Sequence, residues 1–251
     1  MLSYAERVVM AANLIQAAEM TVAFTGAGIS TESGIADFRS PGGIWDRYRI
    51  VTYQEFLASR EARQEYWRMK NELIQEFGGA APNVAHRALA ELERRGRLQC
   101  VITQNIDGLH QDAGSTNVIE IHGTNRFAVC VACGKRRPIG EVQELLEQTS
   151  FDPRCEVCGG LVKPATISFG QSMPEQEMRE AYTYARHCDL MLMIGSSLQV
   201  EPAASIPREA HHAGAKLIFI NRTETPYDHF ASVLFQESAG QVLGDILAMK
   251  S

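Results

Sequence analysis

The stretch Thr21-Val22-Ala23-Phe24-Thr25-Gly26-Ala27-Gly28-Ile29-Ser30 joins a run of strand-forming residues to a closely spaced pair of glycines. Glycines directly after a buried strand let the backbone turn sharply and approach a pyrophosphate, whose oxygens accept hydrogen bonds from free backbone N–H groups. The usual dehydrogenase fingerprint adds a third glycine in register and an acidic residue about 20 residues further on. Because this chain lacks both signals, the stretch fits a dinucleotide site and, equally well, a turn that serves packing.

Small or polar residues also follow four other apolar, strand-like runs. Residues 98–102 precede the segment 103–110, residues 118–121 precede His122-Gly123, residues 189–194 precede Gly195-Ser196-Ser197, and residues 216–220 precede Asn221. Ligands of open α/β sheets bind at the carboxyl ends of the strands. The five strand ends therefore predict one shared crevice, lined by backbone amides, hydroxyls, side-chain amides and one histidine.

Helical patterns alternate with these strands. Ser3 and Glu6 have the spacing of a capping box at the start of a first helix. Further helices are predicted at about 83–95, 174–185, 203–213 and 239–249. Strands that alternate with helices favour parallel pairing, so the predicted fold class is α/β, a doubly wound, mostly parallel, Rossmann-like sheet. The segment 40–79, rich in charges and aromatic residues, is predicted to form a helical lobe over the crevice.

Composition limits the possible partners. The 251 residues are 45% hydrophobic, enough for one substantial core with a smaller attached module. A net charge of −6 gives no electrostatic footprint for nucleic acid and suits a basic peptide better. Glu19 interrupts the early apolar stretch, and the aliphatic run at 190–194 is too short to span a bilayer, so we expect a cytoplasmic protein without a membrane partner. The oligomeric state stays open, and a monomer is compatible with the sequence.

Four of the six cysteines form two tight pairs, Cys130-x-x-Cys133 and Cys155-x-x-Cys158. Two such pairs in a chain without an export signal predict a structural zinc site with four thiolate ligands, in preference to disulfides or free thiols. A catalytic zinc is not expected, because four protein ligands leave no position for water. The surrounding insert, 126–163, carries six basic and five acidic residues, a balance that argues against a nucleic-acid-binding ribbon.

The order of these motifs resembles that of the sirtuins, NAD-dependent protein deacylases, over nearly the whole chain and with a minimal, prokaryote-like core. The matching segments are Gly26-Ala27-Gly28-Ile29-Ser30, Asp37-Phe38-Arg39, Gln104-Asn105-Ile106-Asp107, His122-Gly123, the four-cysteine insert, Phe169-Gly170, Gly195-Ser196-Ser197 and Asn221. The resemblance implies an NAD-binding domain of residues 1–39, 80–125 and 164–251. The helical lobe 40–79 and the zinc module 126–163 would together form a small domain.

The resemblance also implies a reaction. In sirtuins the carbonyl oxygen of an acyl-lysine attacks the NAD ribose, nicotinamide leaves, and water then yields free lysine and an acyl-ADP-ribose ester. By motif match His122 is the base for a ribose hydroxyl, while Asn105 and Asp107 hold the nicotinamide amide. A helix-capping role is the alternative for Asp107. Phe38 would shield the reacting carbon and Arg39 would bind on the phosphate side. For His110 and His86 a structural role is favoured.

The implied NAD site comprises the catalytic set His122, Asn105 and Asp107 together with Gly26, Ala27, Gly28, Ser30, Asp37, Phe38, Arg39, Gln104, Ile106, Gly195, Ser196, Ser197 and Asn221. The acetyl-lysine peptide is expected to add as a strand between Phe169-Gly170 and the segment beginning at Val200. Family members that favour dicarboxylic acyl groups have a tyrosine and, three positions later, an arginine. Here Met69 stands three positions after Tyr66, which favours an acetyl or another uncharged acyl group.

Three other functions remain open at this stage. An ADP-ribosyltransferase on the same fold would also release nicotinamide and is the principal alternative. A noncatalytic module that keeps only the cofactor pocket is disfavoured by the complete set of His122, Asn105 and Asp107. A hydride-transferring dehydrogenase is the most distant possibility, since it would leave nicotinamide attached to the ribose.

Overall fold

The computed structural model describes residues 2–37 and 43–249 of the chain. The strands of this described part are β1 Thr21–Thr25, β2 Cys100–Thr103, β3 Val118–Glu120, β4 Gly123–Cys130, β5 Arg136–Pro138, β6 Val162–Thr166, β7 Leu190–Ile194, β8 Lys216–Ile220 and β9 Ala231–Phe235. The helices are α1 Tyr4–Ala17, α2 Ile44–Arg47, α3 Tyr53–Ala58, α4 Arg60–Gly78, α5 Val84–Arg94, α6 Leu109–Asp112, α7 Ile139–Gln143, α8 Glu175–His187, α9 Ser205–His212 and α10 Ala239–Ala248. Short 3₁₀ turns cover Ala27–Ser33 and Asp228–Phe230.

Six strands form a parallel sheet in the order β3-β2-β1-β7-β8-β9. Strand β1 lies centrally, where Phe24 is in register with Ile102 on one side and Met193 on the other. The later strands are therefore added on both sides of β1, first β2 and β3 on one side and then β7, β8 and β9 on the other. This order confirms the doubly wound α/β fold. The edge strand β9 was not predicted, because its short sequence is only partly buried and gives a weak pattern.

Helices cover both faces of this sheet. The central strands are buried on both sides, so their apolar residues alternate between two cores. Ala23 packs in the core under α1, α5 and α10, whereas Phe24 packs in the core under α8 and α9. At the start of α1, the Glu6 carboxylate accepts the Ser3 backbone N–H at 2.7 Å, which confirms the predicted capping box.

The second sheet is antiparallel, with the strand order β5-β4-β6, and shares a core with α2, α3 and α4. Trp67 of α4 is fully buried there, and its indole Nε1 donates to the Val162 carbonyl at 2.9 Å. Arg63 of the same helix forms a buried ion pair with Asp152 at 2.7 Å. The two inserts thus pack against each other around one shared core. The division of the chain into domains, with its residue limits, stays a prediction.

Among the described residues, none of the helices combines the length and the apolar composition that a membrane-spanning segment requires.

Candidate active site

A cavity of about 920 Å³ opens at the carboxyl ends of β1, β2, β7 and β8, and one wall of it comes from the small domain. The sequence-predicted residues that line it are Gly26, Ala27, Gly28, Asp37, Gln104, Asn105, Ile106, His122, Phe169, Gly170, Gly195, Ser196, Ser197, Val200 and Asn221. The shared crevice predicted from the five strand ends therefore exists. Ser30 and Asp107 lie behind the lining, hydrogen-bonded to each other and, through Ser30, to Asn105.

The glycine loop is built for close packing of two strand ends. The N–H of Gly28 donates to the Gly195 carbonyl at 2.8 Å, and the N–H of Gly26 donates to the Ile194 carbonyl at 3.0 Å. A Cβ added at Gly28 would lie 2.7 Å from the Gly195 Cα, so a larger residue would force the loops apart. The idea that these glycine amides are free to bind phosphate is therefore wrong for Gly26 and Gly28, because both are engaged by backbone carbonyls.

His122 follows β3 and lines the cavity. Its Nδ1 lies 3.0 Å from the Gln104 carbonyl oxygen. A carbonyl can only accept, so Nδ1 carries the proton and Nε2 is the basic nitrogen of the neutral ring. Gly123 comes next with φ +73°, and a Cβ there would collide with the Ala165 carbonyl oxygen. Only glycine fits this position, and its tight turn sets the backbone conformation directly after His122.

Asn105 and Asp107 meet at the Ser30 hydroxyl. Ser30 Oγ donates to Asp107 Oδ2 at 2.7 Å, and Asn105 Nδ2 donates to Ser30 Oγ at 3.1 Å. The second oxygen of Asp107, Oδ1, accepts the Leu109 N–H at 3.0 Å at the start of α6. Asp107 thus caps a helix turn as well as holding Ser30, whereas Asn105 reaches the cavity wall.

A second polar chain links three strand ends at the cavity. Gln104 Nε2 donates to Ser196 Oγ at 2.6 Å, and the Ser196 N–H donates to Asn221 Oδ1 at 2.8 Å. The Nδ2 of Asn221 is buried and has no partner among the described residues. An unsatisfied buried donor at a cavity wall is a position for an acceptor on a bound ligand.

The segment Phe169-Gly170 forms a rim of the cavity and is held by the lobe. Its two carbonyls accept hydrogen bonds from the Tyr53 N–H at 2.8 Å and from Gln54 Nε2 at 3.2 Å. The Phe169 ring is 42% exposed and contacts Trp45 edge to face, with the ring centroids 5.6 Å apart. The rim thus presents an apolar, accessible edge next to the cavity.

The helical lobe contributes polar residues to the cavity wall that were not among the predicted site residues. Tyr66 lines the cavity, and its hydroxyl lies 3.0 Å from Ser168 Oγ. Burial by itself would raise the pKa of Tyr66, but the ammonium groups of Lys70 and Lys163 outweigh it and hold that pKa at about 8. Arg68, the other cation near this helix turn, stacks instead on Phe151 at 5.4 Å and does not line the cavity.

The four paired cysteines converge in the small domain. Their sulfur atoms all lie within 4.8 Å of one another, with Cys130 Sγ 3.6 Å from Cys158 Sγ and Cys133 Sγ 3.7 Å from Cys155 Sγ. Disulfide sulfurs lie about 2.05 Å apart, whereas a tetrahedral zinc with Zn–S bonds of about 2.3 Å holds its sulfurs roughly 3.8 Å apart. The residues therefore fit one structural zinc ion, as predicted.

Four further residues complete the comparison with the sequence, and two of them are the buried histidines for which a structural role was predicted. Phe38 and Arg39 lie outside the described residues. His86 and His110 lie directly behind the site, where His86 Nε2 is 3.5 Å from Ser30 Oγ and His110 Nε2 is 2.9 Å from Thr25 Oγ1. A lone histidine within a helical pattern gives no signal of such a partner.

A doubly wound sheet with a polar crevice at its switch point and a thiolate zinc module beside it defines a nucleotide-dependent enzyme with a zinc-stabilised small domain. The family model described as "Sir2 family" matches residues 26–202. The chain belongs to the Sir2 family, which confirms the resemblance to the sirtuins.

Relatives of known name agree. The chain is 58% identical over 246 residues to an "NAD-dependent protein deacetylase" of Thermodesulfovibrio yellowstonii, covering 98% of this chain and 96% of that protein. It is 48% identical to a protein of the same name from Rhodopseudomonas palustris, covering 92% of each.

Solved structures agree as well. A Sir2 structure with p53 peptide and NAD+ superimposes with a TM-score of 0.86 at 38% identity, covering 94% of this chain and 95% of that one. Another, with deacetylated p53 peptide and 3'-O-acetyl ADP ribose, has a TM-score of 0.89 at 38% identity and covers 96% and 97%.

Proposed function

We propose that this protein is an NAD-dependent protein-lysine deacetylase. Acetyl-lysine, NAD and water give lysine, nicotinamide and O-acetyl-ADP-ribose, so the enzyme transfers the acyl group from lysine to ADP-ribose. NAD is a co-substrate that supplies the electrophilic ribose carbon and the leaving group. The observation that carries the proposal is that His122 and Asn105 both line the cavity, in a chain whose named relatives are NAD-dependent protein deacetylases.

His122 is proposed as the general base for a ribose hydroxyl. The hydrogen bond from its Nδ1 to the Gln104 carbonyl fixes the ring and leaves Nε2 as the proton acceptor. An imidazole is suited to this step because its ordinary pKa, about 6.5, lies near the working pH.

Asn105 is proposed to hold the nicotinamide carboxamide, with Asp107 and Ser30 behind it. One N–H of the Asn105 Nδ2 donates to Ser30, and the Oδ1 is proposed to accept from the carboxamide N–H. The Asn221 Nδ2, buried without a partner among the described residues, is proposed to donate to the adenosine ribose. These roles orient the co-substrate and transfer no proton.

The acetyl-lysine peptide is proposed to enter beside Phe169-Gly170 and the segment at Val200, both of which line the cavity. Main-chain pairing along an added strand gives affinity with little demand on sequence. We propose acetyl as the acyl group, because Met69 rather than a cation stands three positions after Tyr66. Arg68 does not alter this proposal, since it packs on Phe151 away from the cavity.

We also propose that the zinc ion is structural and that the protein is cytoplasmic. The closed set of four sulfurs leaves no position for water, so the metal has no part in the reaction. Its ligands fit a metal ion rather than disulfides, which suits a reducing compartment. NAD as a consumed co-substrate suits the same compartment.

Mass spectrometry tests the function. The purified protein is incubated with an acetyl-lysine peptide, with and without NAD, while peptide, nicotinamide and acetyl-ADP-ribose are followed together. Equal, NAD-dependent loss of acetyl and appearance of the ester is the expected result. Nicotinamide release with a peptide or protein that gains the mass of ADP-ribose would instead identify an ADP-ribosyltransferase.

A further inference from the structure

Two histidines are buried immediately behind the site and do not line the cavity. His86 on α5 is 0% exposed and His110 on α6 is 1% exposed. Their rings meet edge to face, with centroids 4.9 Å apart. His86 is linked to Asp107 through the Ser30 hydroxyl, and His110 is linked to Asn105 through the hydroxyls of Thr25 and Thr103, so the pair lies behind the residues of the proposed amide pocket.

The proton on the His86 ring can be assigned from its neighbours. The Asn83 N–H lies 3.3 Å from His86 Nδ1, and a backbone N–H can only donate. Nδ1 therefore accepts, and the single proton of the neutral ring is on Nε2. That nitrogen faces Ser30 Oγ at 3.5 Å and donates towards it.

Both acceptor positions of the Ser30 hydroxyl are consequently occupied. It receives one hydrogen bond from His86 and one from Asn105 Nδ2 at 3.1 Å. A hydroxyl has two acceptor positions and one proton, so that proton is left for Asp107, whose Oδ2 lies 2.7 Å away. His86 thereby selects the direction of the Ser30 hydroxyl and, through it, the orientation of the Asp107 carboxylate.

His110 holds the other end of the same loop. Thr25 Oγ1 donates to Thr103 Oγ1 at 2.8 Å, so it accepts from His110 Nε2 at 2.9 Å. Thr103 Oγ1 in turn accepts the Asn105 backbone N–H at 3.1 Å. This second chain fixes the main chain of Asn105, whereas the first chain fixes its side chain.

Both rings are neutral at the working pH. Burial lowers the pKa of His86 to about 4 and that of His110 to about 3. A neutral ring has one N–H and one lone pair, so each histidine contributes a hydrogen bond with a defined direction. A cationic ring would donate from both nitrogens, and the His86 Nδ1 could no longer accept from Asn83.

We propose that His86 and His110 are positioning residues of the nicotinamide pocket, which act on the ligand through Ser30, Thr25 and the Asn105–Asp107 loop. The identity of the ligand rests on the proposed function; the hydrogen-bond chains do not. Positioning of this kind affects binding of the amide and the step in which nicotinamide leaves. It does not affect the peptide, whose proposed entry lies at Phe169-Gly170.

The test uses paired variants of the full chain. His86→Leu removes the hydrogen bonds with Ser30 and Asn83, and His110→Leu removes the hydrogen bond with Thr25. For each variant we expect the inhibition constant for nicotinamide to rise about tenfold while the peptide KM stays unchanged. His86→Gln and His110→Gln keep an N–H near the original Nε2 and should stay within about threefold of the wild type. His187→Leu is the matched control, because that ring is exposed and its Nδ1 hydrogen-bonds to the Thr183 carbonyl of its own helix.

The proposal is overturned if both leucine variants have the wild-type inhibition constant for nicotinamide. It is also overturned if the inhibition constant rises equally in the leucine and the glutamine variants. If the wild type fails to deacetylate, the proposed function is wrong, and calorimetric titration of NAD into the same variants decides the positioning role separately. If the leucine variants do not fold, nitrogen NMR of the ¹⁵N-histidine wild type replaces them. Both rings should carry their proton on Nε2 from about pH 6 to pH 9, and a proton on Nδ1 of His86 would refute the assignment.

Discussion

Asp152→Ala should destabilise the small domain by about 3 kcal/mol, at the lower end of the range of about 3–5 kcal/mol for breaking a buried ion pair. Its carboxylate accepts from Arg63 at 2.7 Å and from Arg154 at 2.9 Å, and it is only 6% exposed. Arg154 is 48% exposed and can turn to solvent. Arg63 is 9% exposed, so without Asp152 its charge stays buried and uncompensated.

Urea unfolding followed by tryptophan fluorescence measures this change. The chain has two tryptophans, Trp45 and Trp67, and both lie in the lobe that shares its core with the zinc module. With a slope of about 2–3 kcal/mol per molar urea, the loss corresponds to a midpoint shift of roughly 1–1.5 M. Glu175→Ala is the control, since its ion pair with Arg179 is 86% and 72% exposed and should contribute nothing measurable.

The pH dependence provides a second check with a defined sign. Burial by itself would raise the pKa of Asp152, but hydrogen bonds from Arg63 and Arg154 outweigh it and hold that pKa below its usual value. The stabilisation is therefore present above the unfolded pKa of about 3.9 and is lost as the pH falls through the lower folded value. The stability difference between wild type and Asp152→Ala should be constant from about pH 8 to 5 and shrink below about pH 4.

A double variant decides whether the uncompensated charge is the cause. Arg63→Met with Asp152→Leu removes both charges and should recover most of the stability that Asp152→Ala alone loses. If Asp152→Ala lowers the free energy of unfolding by less than about 1 kcal/mol, the reasoning is refuted. The same holds if the double variant recovers no stability.

Three further predictions concern the site and the metal. His122→Ala should lower deacetylation by about 10²–10⁴-fold in a product assay, with an unchanged melting temperature, because it removes only the base. Cys130→Ala should lose zinc, measured by metal analysis, together with fluorescence-detected stability of the lobe, and retention of one equivalent of zinc would contradict the assigned ligands. Gly123→Ala should reduce both stability and activity, since it combines a left-handed φ with a collision against the Ala165 carbonyl oxygen, costing about 2 kcal/mol or more in denaturant unfolding. A variant with wild-type stability would show that the turn tolerates a side chain.

Local signals in the sequence were sufficient for most of the fold. The runs at 21–25 and 216–220 are strands with the predicted limits, and the predicted helices lie within about two residues of the observed ones. These elements were predictable because each is encoded by its own periodicity and caps. The edge strand β9 was missed, since a short edge strand buries few side chains and has little pattern to detect.

The features of the site that depend on local sequence patterns were also predictable, and those that depend on tertiary contacts were not. Paired cysteines and polar strand ends are local patterns, so the zinc site and the crevice followed from spacing and from the geometry of parallel sheets. Which hydrogen bonds those residues make did not follow. The Gly26 and Gly28 amides are engaged by strand β7, a neighbour in space from the far end of the sequence.

The sequence by itself determined the α/β class, the alternation of most of its strands and helices, the four zinc ligands and the residues at the strand ends around the crevice. Each of these depends on periodicity, spacing or motif order along the chain. Only the tertiary structure decided that Ser30 joins Asn105 to Asp107, that Tyr66 faces the cavity and that His86 reaches Ser30. Those contacts join residues distant in sequence, and their direction depends on packing and on the number of protons each partner can donate, which no local pattern records.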